Sequence, residues 1–276
     1  MLGKRGVYGH LGEGAVYGAT VQCRMYAIMT VQGRAVQGFG RDEWTQRYID
    51  LRFRAGNFND HIEFKGMREV LPDVKGLDVL DLGCGPGVLC EYLSQAGAKA
   101  VIGVDISKPL VKYAEKNKKK FNIRYICDDM RNFLERGGRF GLVVSSLAIH
   151  FVPDLGQILG LVYRALPDHG RFVFSVRHPV RSGNPTGEHW AFGQCSWLQN
   201  KYGLSGQRTH NWLGQELRIF HRTFERIFSD AISNGFEVVE LKEPLPTSAD
   251  VRRYSNLREA LDSPPFLVIS LKKRAE

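Results

Sequence analysis

The chain has 276 residues, of which 43% are hydrophobic and 24% charged, enough for one large α/β core or two small ones and ordinary for a globular protein. No apolar run approaches the roughly 18–20 residues that span a bilayer, and no unbroken apolar stretch follows the N-terminus, so a cytoplasmic protein without membrane attachment is expected. Cys23, Cys84, Cys90, Cys127 and Cys195 form no C-x-x-C pair, which argues against a disulfide framework and a zinc site, so no metal is expected. The net charge of +9 leaves nucleic acid, anionic small molecules and a merely basic surface open, and its densest run, Lys116–Lys120, suits the solvated end of a helix.

Residues 1–40 read as a loose N-terminal extension, with Met29 as an alternative start. Helical spacing covers about Arg41 to Leu71, broken around Gly56–Asn57. A regular alternation then begins. Strands are expected at Leu77–Leu82, Ala100–Val104, Ile123–Ile126, Leu142–Ser146 and Phe172–Val176. Helices are expected between them at Val88–Ala96, Leu110–Lys119 and Leu155–Ala165. Apolar strands separated by helices mean a mostly parallel sheet covered on both faces. The alternation pauses over 178–215, a segment of Gly, Pro, Trp and Asn too long for an ordinary connection, which reads as a lid or substrate-binding insertion in an otherwise single domain over 41–276. A helix over Phe220–Ser233 and strands at Phe236–Leu241 and Phe266–Leu271 complete the chain.

Residues 79–87 read Val-Leu-Asp-Leu-Gly-Cys-Gly-Pro-Gly. A buried strand enters a glycine-rich turn and a helix follows, which lets a ligand approach the backbone and meet a helix N-terminus. From Gly83 the dinucleotide spacing reaches Val88 where a third small residue is needed, and no Gly-Lys-Ser/Thr follows. What stands is Asp81, Gly83, Gly85 and Gly87. An acid ahead of the glycines repels a pyrophosphate and suits an ammonium. Asp105 ends the next strand, where a carboxylate accepts ribose hydroxyls. Asp128 ends the third, within reach of an adenine amine. Ammonium, ribose diol and adenine amine are the polar handles of S-adenosylmethionine (SAM). A helix cap or turn role is the alternative for each aspartate taken singly.

With VLDLGCGPG (79–87), VIGVDIS (101–107), CDDM (127–130), FGLVVSSLAIHFVPDL (140–155) and LPDHGRFVFSVRHP (166–179), the chain resembles the class I SAM-dependent methyltransferases, in the bacterial small-molecule group, over about residues 40–273. The resemblance implies a Rossmann-like, seven-stranded, mostly parallel sheet in the order 3-2-1-4-5-7-6, with an N-terminal helical extension and an insertion after the fifth strand. It implies that Gly83, Gly85 and Gly87 line the methionine and ribose portion, that Asp105 holds the ribose and Asp128 the adenine, with Cys84, Ile106, Asp129, Met130 and Ser146 beside them. Tyr48, Arg52 and Asn59 fall in a segment that folds over the cofactor in similar enzymes. Two departures occur: Gly141 replaces the usual Asp, and Asp168-His169 replaces the usual Pro-Gly.

Transfer from a sulfonium leaves the protein to position the acceptor and remove a proton where there is one. His150 after the fourth strand, His178 after the fifth and His221 after the insertion are the candidate bases, with His178 placed first. Trp190, Trp197 and Trp212 are candidate acceptor-lining residues. Hydrogen-bonded scaffolding is the alternative for each histidine, and core packing for each tryptophan. The expected acceptor is a small molecule, and the protein a monomer or homodimer. The competing readings are an RNA-modifying methyltransferase and a non-catalytic SAM-binding protein. Against the first, Ser145-Ser146-Leu147-Ala148 stands where adenine-amine methyltransferases carry an (N/D)-P-P-(Y/F) motif.

Overall fold

The computed structural model describes residues 42–184 and 201–275. The readings made for residues 1–40, Trp190 and Trp197 concern residues outside that set. Helix α1 (Asp42–Arg52) is followed by a π-helical turn (Asn59–Glu63) and α2 (Phe64–Val70). Then come β1 (Asp78–Leu82), α3 (Val88–Gln95), β2 (Ala100–Asp105), α4 (Lys108–Asn117), β3 (Ile123–Cys127) and α5 (Met130–Glu135). These lead into β4 (Leu142–Ser145), a 3-10 turn (Ile149–Phe151), α6 (Leu155–Ala165), β5 (Arg171–Arg177) and the short α7 (Pro179–Ser182). The chain continues as β6 (Gly206–Trp212), β7 (Gln215–His221), α8 (Phe224–Ser233), β8 (Phe236–Lys242), α9 (Ser248–Arg253), α10 (Glu259–Asp262) and β9 (Phe266–Lys273).

Seven strands form one sheet in the order β3-β2-β1-β4-β5-β9-β8, and β6 and β7 form a separate hairpin. With the hairpin set aside, this is the 3-2-1-4-5-7-6 order expected. β1 to β5 run parallel, while β9 runs antiparallel to both β5 and β8. The central strands alternate between two buried faces, as a pleat requires. Leu80, Leu82, Val143, Phe172, Phe174, Leu267 and Ile269 face Ile158, Leu159 and Val162 of α6. Val79, Val144, Val173 and Val268 face Met67 of α2 and Leu89 and Leu93 of α3. Burying each such side chain stabilises the fold by about 1.5–3 kcal/mol.

Local chemistry sets the helix limits. Ser107 Oγ accepts from the Leu110 amide, Asp154 from Gln157 and Thr223 from Arg226 at three N-termini. Gly97 and Gly235, with φ of 101° and 86°, close α3 and α8.

Two expectations change. The helix expected from Phe220 starts at Phe224, because Gln215–His221 is strand β7, with Leu217, Ile219 and His221 buried on alternate positions. His221 therefore ends a strand rather than opening a helix. The segment 178–215, where the alternation was expected to pause, contains β6, paired with β7 from Gly206↔His221 to Trp212↔Gln215. Leu213 and Gly214, with φ of 54° and 76°, make the two-residue turn between them.

Candidate active site

The loop after β1 carries positive φ at Gly83 (77°), Gly85 (53°) and Gly87 (86°). Its glycines serve different ends. A Cβ at Gly83 would lie 2.1 Å from Ala148 Cβ, and one at Gly87 2.2 Å from the Tyr125 hydroxyl. These two leave room for neighbouring side chains. At Gly85 the nearest atom is the Tyr48 hydroxyl, 3.7 Å away, so here a ligand can approach the backbone.

The strand-end carboxylates surround this point. Asp81 is fully buried on β1. Its Oδ2 accepts from the Cys90 thiol at 3.2 Å, while Oδ1, also buried, has no hydrogen-bond partner. Burial raises the Asp81 carboxyl to about 7, against the Cys90 bond and with help from Asp105 and Glu63. Asp105 ties the loop together: Oδ2 accepts from the Gly85 amide and Oδ1 from the Ser107 amide, each at 2.8 Å. Burial raises its pKa, and those two amides oppose the rise.

The third strand end is more committed than expected. Asp128 pairs with Arg136 and accepts from the Asp129 amide. Asp129 caps α5 and takes Arg131 on both oxygens. Met130 Cε lies 3.9 Å from the Cβ position of Gly83, Ile106 is exposed and Cys84 is buried in the loop.

The segment before the sheet closes over the loop. Tyr48 on α1 stacks on Trp44 (5.4 Å, 5°), and Trp212 at the hairpin tip meets both rings edge-on at 5.8 and 5.7 Å. Arg47 donates to the Leu213 carbonyl at 3.3 Å. Burial pushes the Tyr48 phenol up to about 12, opposed by Arg52 and assisted by Asp105 and Glu63. Arg52 is buried and donates to Asp60 at 2.6 Å. Asn59 is half-buried on the π-helical turn.

Sequence reasoning missed Glu63. It is 1% exposed, at the end of the π-helical turn, where it accepts from Ser146 Oγ (2.9 Å) and Ser175 Oγ (2.6 Å). Ser175 Oγ in turn accepts from the Leu147 amide, holding that residue at a φ of 50°. Burial raises the Glu63 carboxyl. The available signal was an acid set directly between the apolar Ile62 and Phe64.

The three histidines separate by their ring nitrogens. His178 is 2% exposed, with Nε2 against Glu243 Oε1 at 2.8 Å and Nδ1 accepting from the Val180 amide. His221 has Nδ1 against Ser182 Oγ (2.8 Å) and Nε2 against the Tyr202 carbonyl (2.7 Å). Both are fastened at both nitrogens. His150 is also buried, but its Nδ1 has no partner. It lines a cavity of about 20 Å³ together with Val176, Arg177, Ile219, Phe220 and Arg222. Burial, then Arg177 and Arg222, push its pKa down to about 3. Among the described residues, no cluster of three or more His, Cys, Asp or Glu could hold a metal ion, and no helix is long and apolar enough to cross a membrane.

Residues 79–170 match a family model described as a methyltransferase domain. The fold is similar to an S-adenosylmethionine dependent methyltransferase from Mesorhizobium loti, at 32% identity and TM-score 0.71, over 81% of this chain and all (100%) of that one. An uncharacterised Haemophilus influenzae protein is 29% identical over 85% of this chain and 96% of its own. A ubiquinone biosynthesis O-methyltransferase from Coxiella burnetii is 33% identical, over 37% of this chain and 44% of its own.

Proposed function

Because the chain belongs to the S-adenosylmethionine-dependent methyltransferases, we propose that it moves the cofactor's methyl group to an O, N or C atom of a small-molecule acceptor lying between the sheet edge and the β6–β7 hairpin. The observation that carries the reading is the buried, unpartnered Asp81 Oδ1 beside a loop whose only open glycine is Gly85. A buried carboxylate oxygen without a donor is costly, and the ammonium of the cofactor's methionine portion satisfies it. The residues therefore fit the cofactor: Asp81 for the ammonium, the Gly85 backbone for the methionine and ribose portion, Asp105 for the ribose hydroxyls and Tyr48 as the cover. Asp128 for the adenine amine requires sharing its carboxylate with Arg136.

When bound, SAM supplies a methyl group already activated by a sulfonium. The protein's own work is then to exclude water, orient the nucleophile and take up a proton where one leaves. Tyr48, Trp44 and Trp212 exclude water. Of the three candidate histidines, His150 is the one with an unpartnered ring nitrogen; with its pKa held down at about 3 it stays neutral, and it replaces His178 as the first candidate to hydrogen-bond the acceptor. Glu63 and Ser175 fix the backbone at Leu147, just ahead of Ala148 against the glycine loop.

The Coxiella relative points to aromatic-ring or quinone precursors as one class to include, but this chain spans under half of that protein. The test is two-part. Calorimetry with SAM and S-adenosylhomocysteine (SAH), without added metal, should give micromolar binding or better. Labelled methyl should then pass to a member of a metabolite panel and not to bulk RNA. Absence of heat with folded protein would overturn the assignment, and label transfer to RNA would replace the acceptor class.

A further inference from the structure

At the carboxyl ends of β4 and β5, beneath β7, basic side chains gather, and among the described residues neither Arg177 nor Arg222 forms an ion pair with a carboxylate. Arg177 ends β5, and its one hydrogen bond among the described residues is from Nη1 to His210 Nδ1 at 3.3 Å. Arg222 donates to the carbonyls of Val152 (2.5 Å), Pro153 (3.0 Å) and Phe220 (3.2 Å). Two acids act on Arg222 from a distance, and both are engaged elsewhere: Asp230 is paired with Arg226 at 2.9 Å and Asp154 caps α6 at the Gln157 amide, 3.0 Å. His150 is 7% exposed with Nδ1 unpartnered, and His210 is 3% exposed. Arg181, the other cation Arg177 senses, is turned away towards Ser263 and Glu259. Guanidinium groups stay protonated at any working pH, so the cavity holds fixed positive charge in a poorly hydrated place.

Arg177 and Arg222 are half-buried, and charge drawn out of water without a counter-charge is unfavourable and is kept where something else balances it. The cavity lies next to the cofactor loop, since His150 is two residues beyond Ala148, which fills the space over Gly83. Apart from Ser182, whose hydroxyl is held by His221, its remaining walls are apolar, among them Ile149, Val176, Ile219 and Phe220.

We propose that this cavity anchors the methyl acceptor and that the acceptor is a carboxylic acid, its carboxylate taken by Arg177 with His150 and Arg222 alongside and its apolar body lying against β7. The inference rests on the reading of the chain as a small-molecule methyltransferase and narrows it to one class of substrate. A guanidinium receives carboxylate and phosphate alike. The volume of about 20 Å³ admits little more than a water-sized group, so it takes the carboxylate head alone, favouring the smaller, planar anion, and the rest of the acid lies outside it.

The experiment uses the full chain with SAH bound. Propanoate, propanamide and inorganic phosphate are titrated by ligand-observed NMR. Propanoate should bind about tenfold or more tightly than propanamide, as expected for a charge-assisted contact, and should resist displacement by equimolar phosphate. Arg177→Gln should abolish that preference while SAH affinity stays within a few-fold. Equal binding of acid and amide, no binding of the acid, or preference for phosphate would each overturn the proposal. If Arg177→Gln does not fold, the acid–amide comparison in the wild-type chain decides alone. Failure of SAH to bind would instead strike the methyl-transfer reading, and the same comparison in the unloaded chain would still decide the anion site.

Discussion

Lowering the pH from 8 to 6 should weaken SAH binding by about tenfold. Without ligand, burial lifts the Asp81 carboxyl to about 7, so it is mostly ionised at pH 8 and mostly protonated at pH 6. A ligand ammonium at Oδ1 requires the ionised form. Binding below about pH 7 must therefore expel a proton, and the cost approaches about 1.4 kcal/mol, a factor of ten, per pH unit well below the pKa. From pH 8 to 7 the loss should be about twofold, and most of the effect falls between 7 and 6. Calorimetry in two buffers of different ionisation enthalpy would read both the affinity and the proton, with close to one released per SAH at pH 6 and little at pH 8. Asp81→Asn should bind more weakly at pH 8 and show no slope. A dissociation constant constant within twofold across this range, or an Asn variant that keeps the slope, would refute the pairing of Asp81 with the ammonium.

Asp105→Ala should lower SAH affinity by about 1.5–3 kcal/mol. It should also lower the stability of the unliganded protein by about 1–3 kcal/mol, since the Gly85 and Ser107 amides lose their acceptor; unchanged unfolding in denaturant would contradict that second role. His178→Ala and His221→Ala should act on stability, each by about 2–4 kcal/mol from lost hydrogen bonds and a cavity. His150→Ala should instead lower kcat/KM by about tenfold or more, the worth of a hydrogen bond to a charged group, and the reverse pattern in assays at equal folded fraction would return His178 to first place. His169→Gly should raise stability by up to about 1 kcal/mol, because His169 stands at a φ of 62° that a side chain resists; a lower midpoint in urea would show that the ring contributes more than the strain costs.

The sheet was readable because its strands are continuous apolar runs, and Leu77–Leu82 or Phe172–Val176 admit no other placement between helices with caps. The hairpin was not. β6 reads Gly-Gln-Arg-Thr-His-Asn-Trp, and its buried member is His210, so it lacks the apolar alternation that announces a strand. Its turn is Leu-Gly rather than Asn-Gly. Asp81 and Asp105 were legible because a glycine loop and strand end fix where their carboxylates lie. The hydrogen bonds of the histidines were not, because what occupies His178 and His221 comes from Glu243, Ser182 and Tyr202, far along the chain or across the hairpin. The departure at His169 was visible in sequence, and its backbone angle gives it physical meaning: the position keeps the conformation of the glycine it lacks.

The ring cluster of Trp44, Tyr48 and Trp212 joins the chain's early helix to the tip of a hairpin some distance later in sequence, directly over Gly85. On the proposed reading, in which Tyr48 covers the cofactor and the hairpin closes over the acceptor, the cover and the hairpin are fastened to each other by this one contact. Its parting would then free the cofactor side and loosen the hairpin together. The two products should therefore depart in a single gated event, and the frequency of that opening, rather than methyl transfer, should set the steady-state pace.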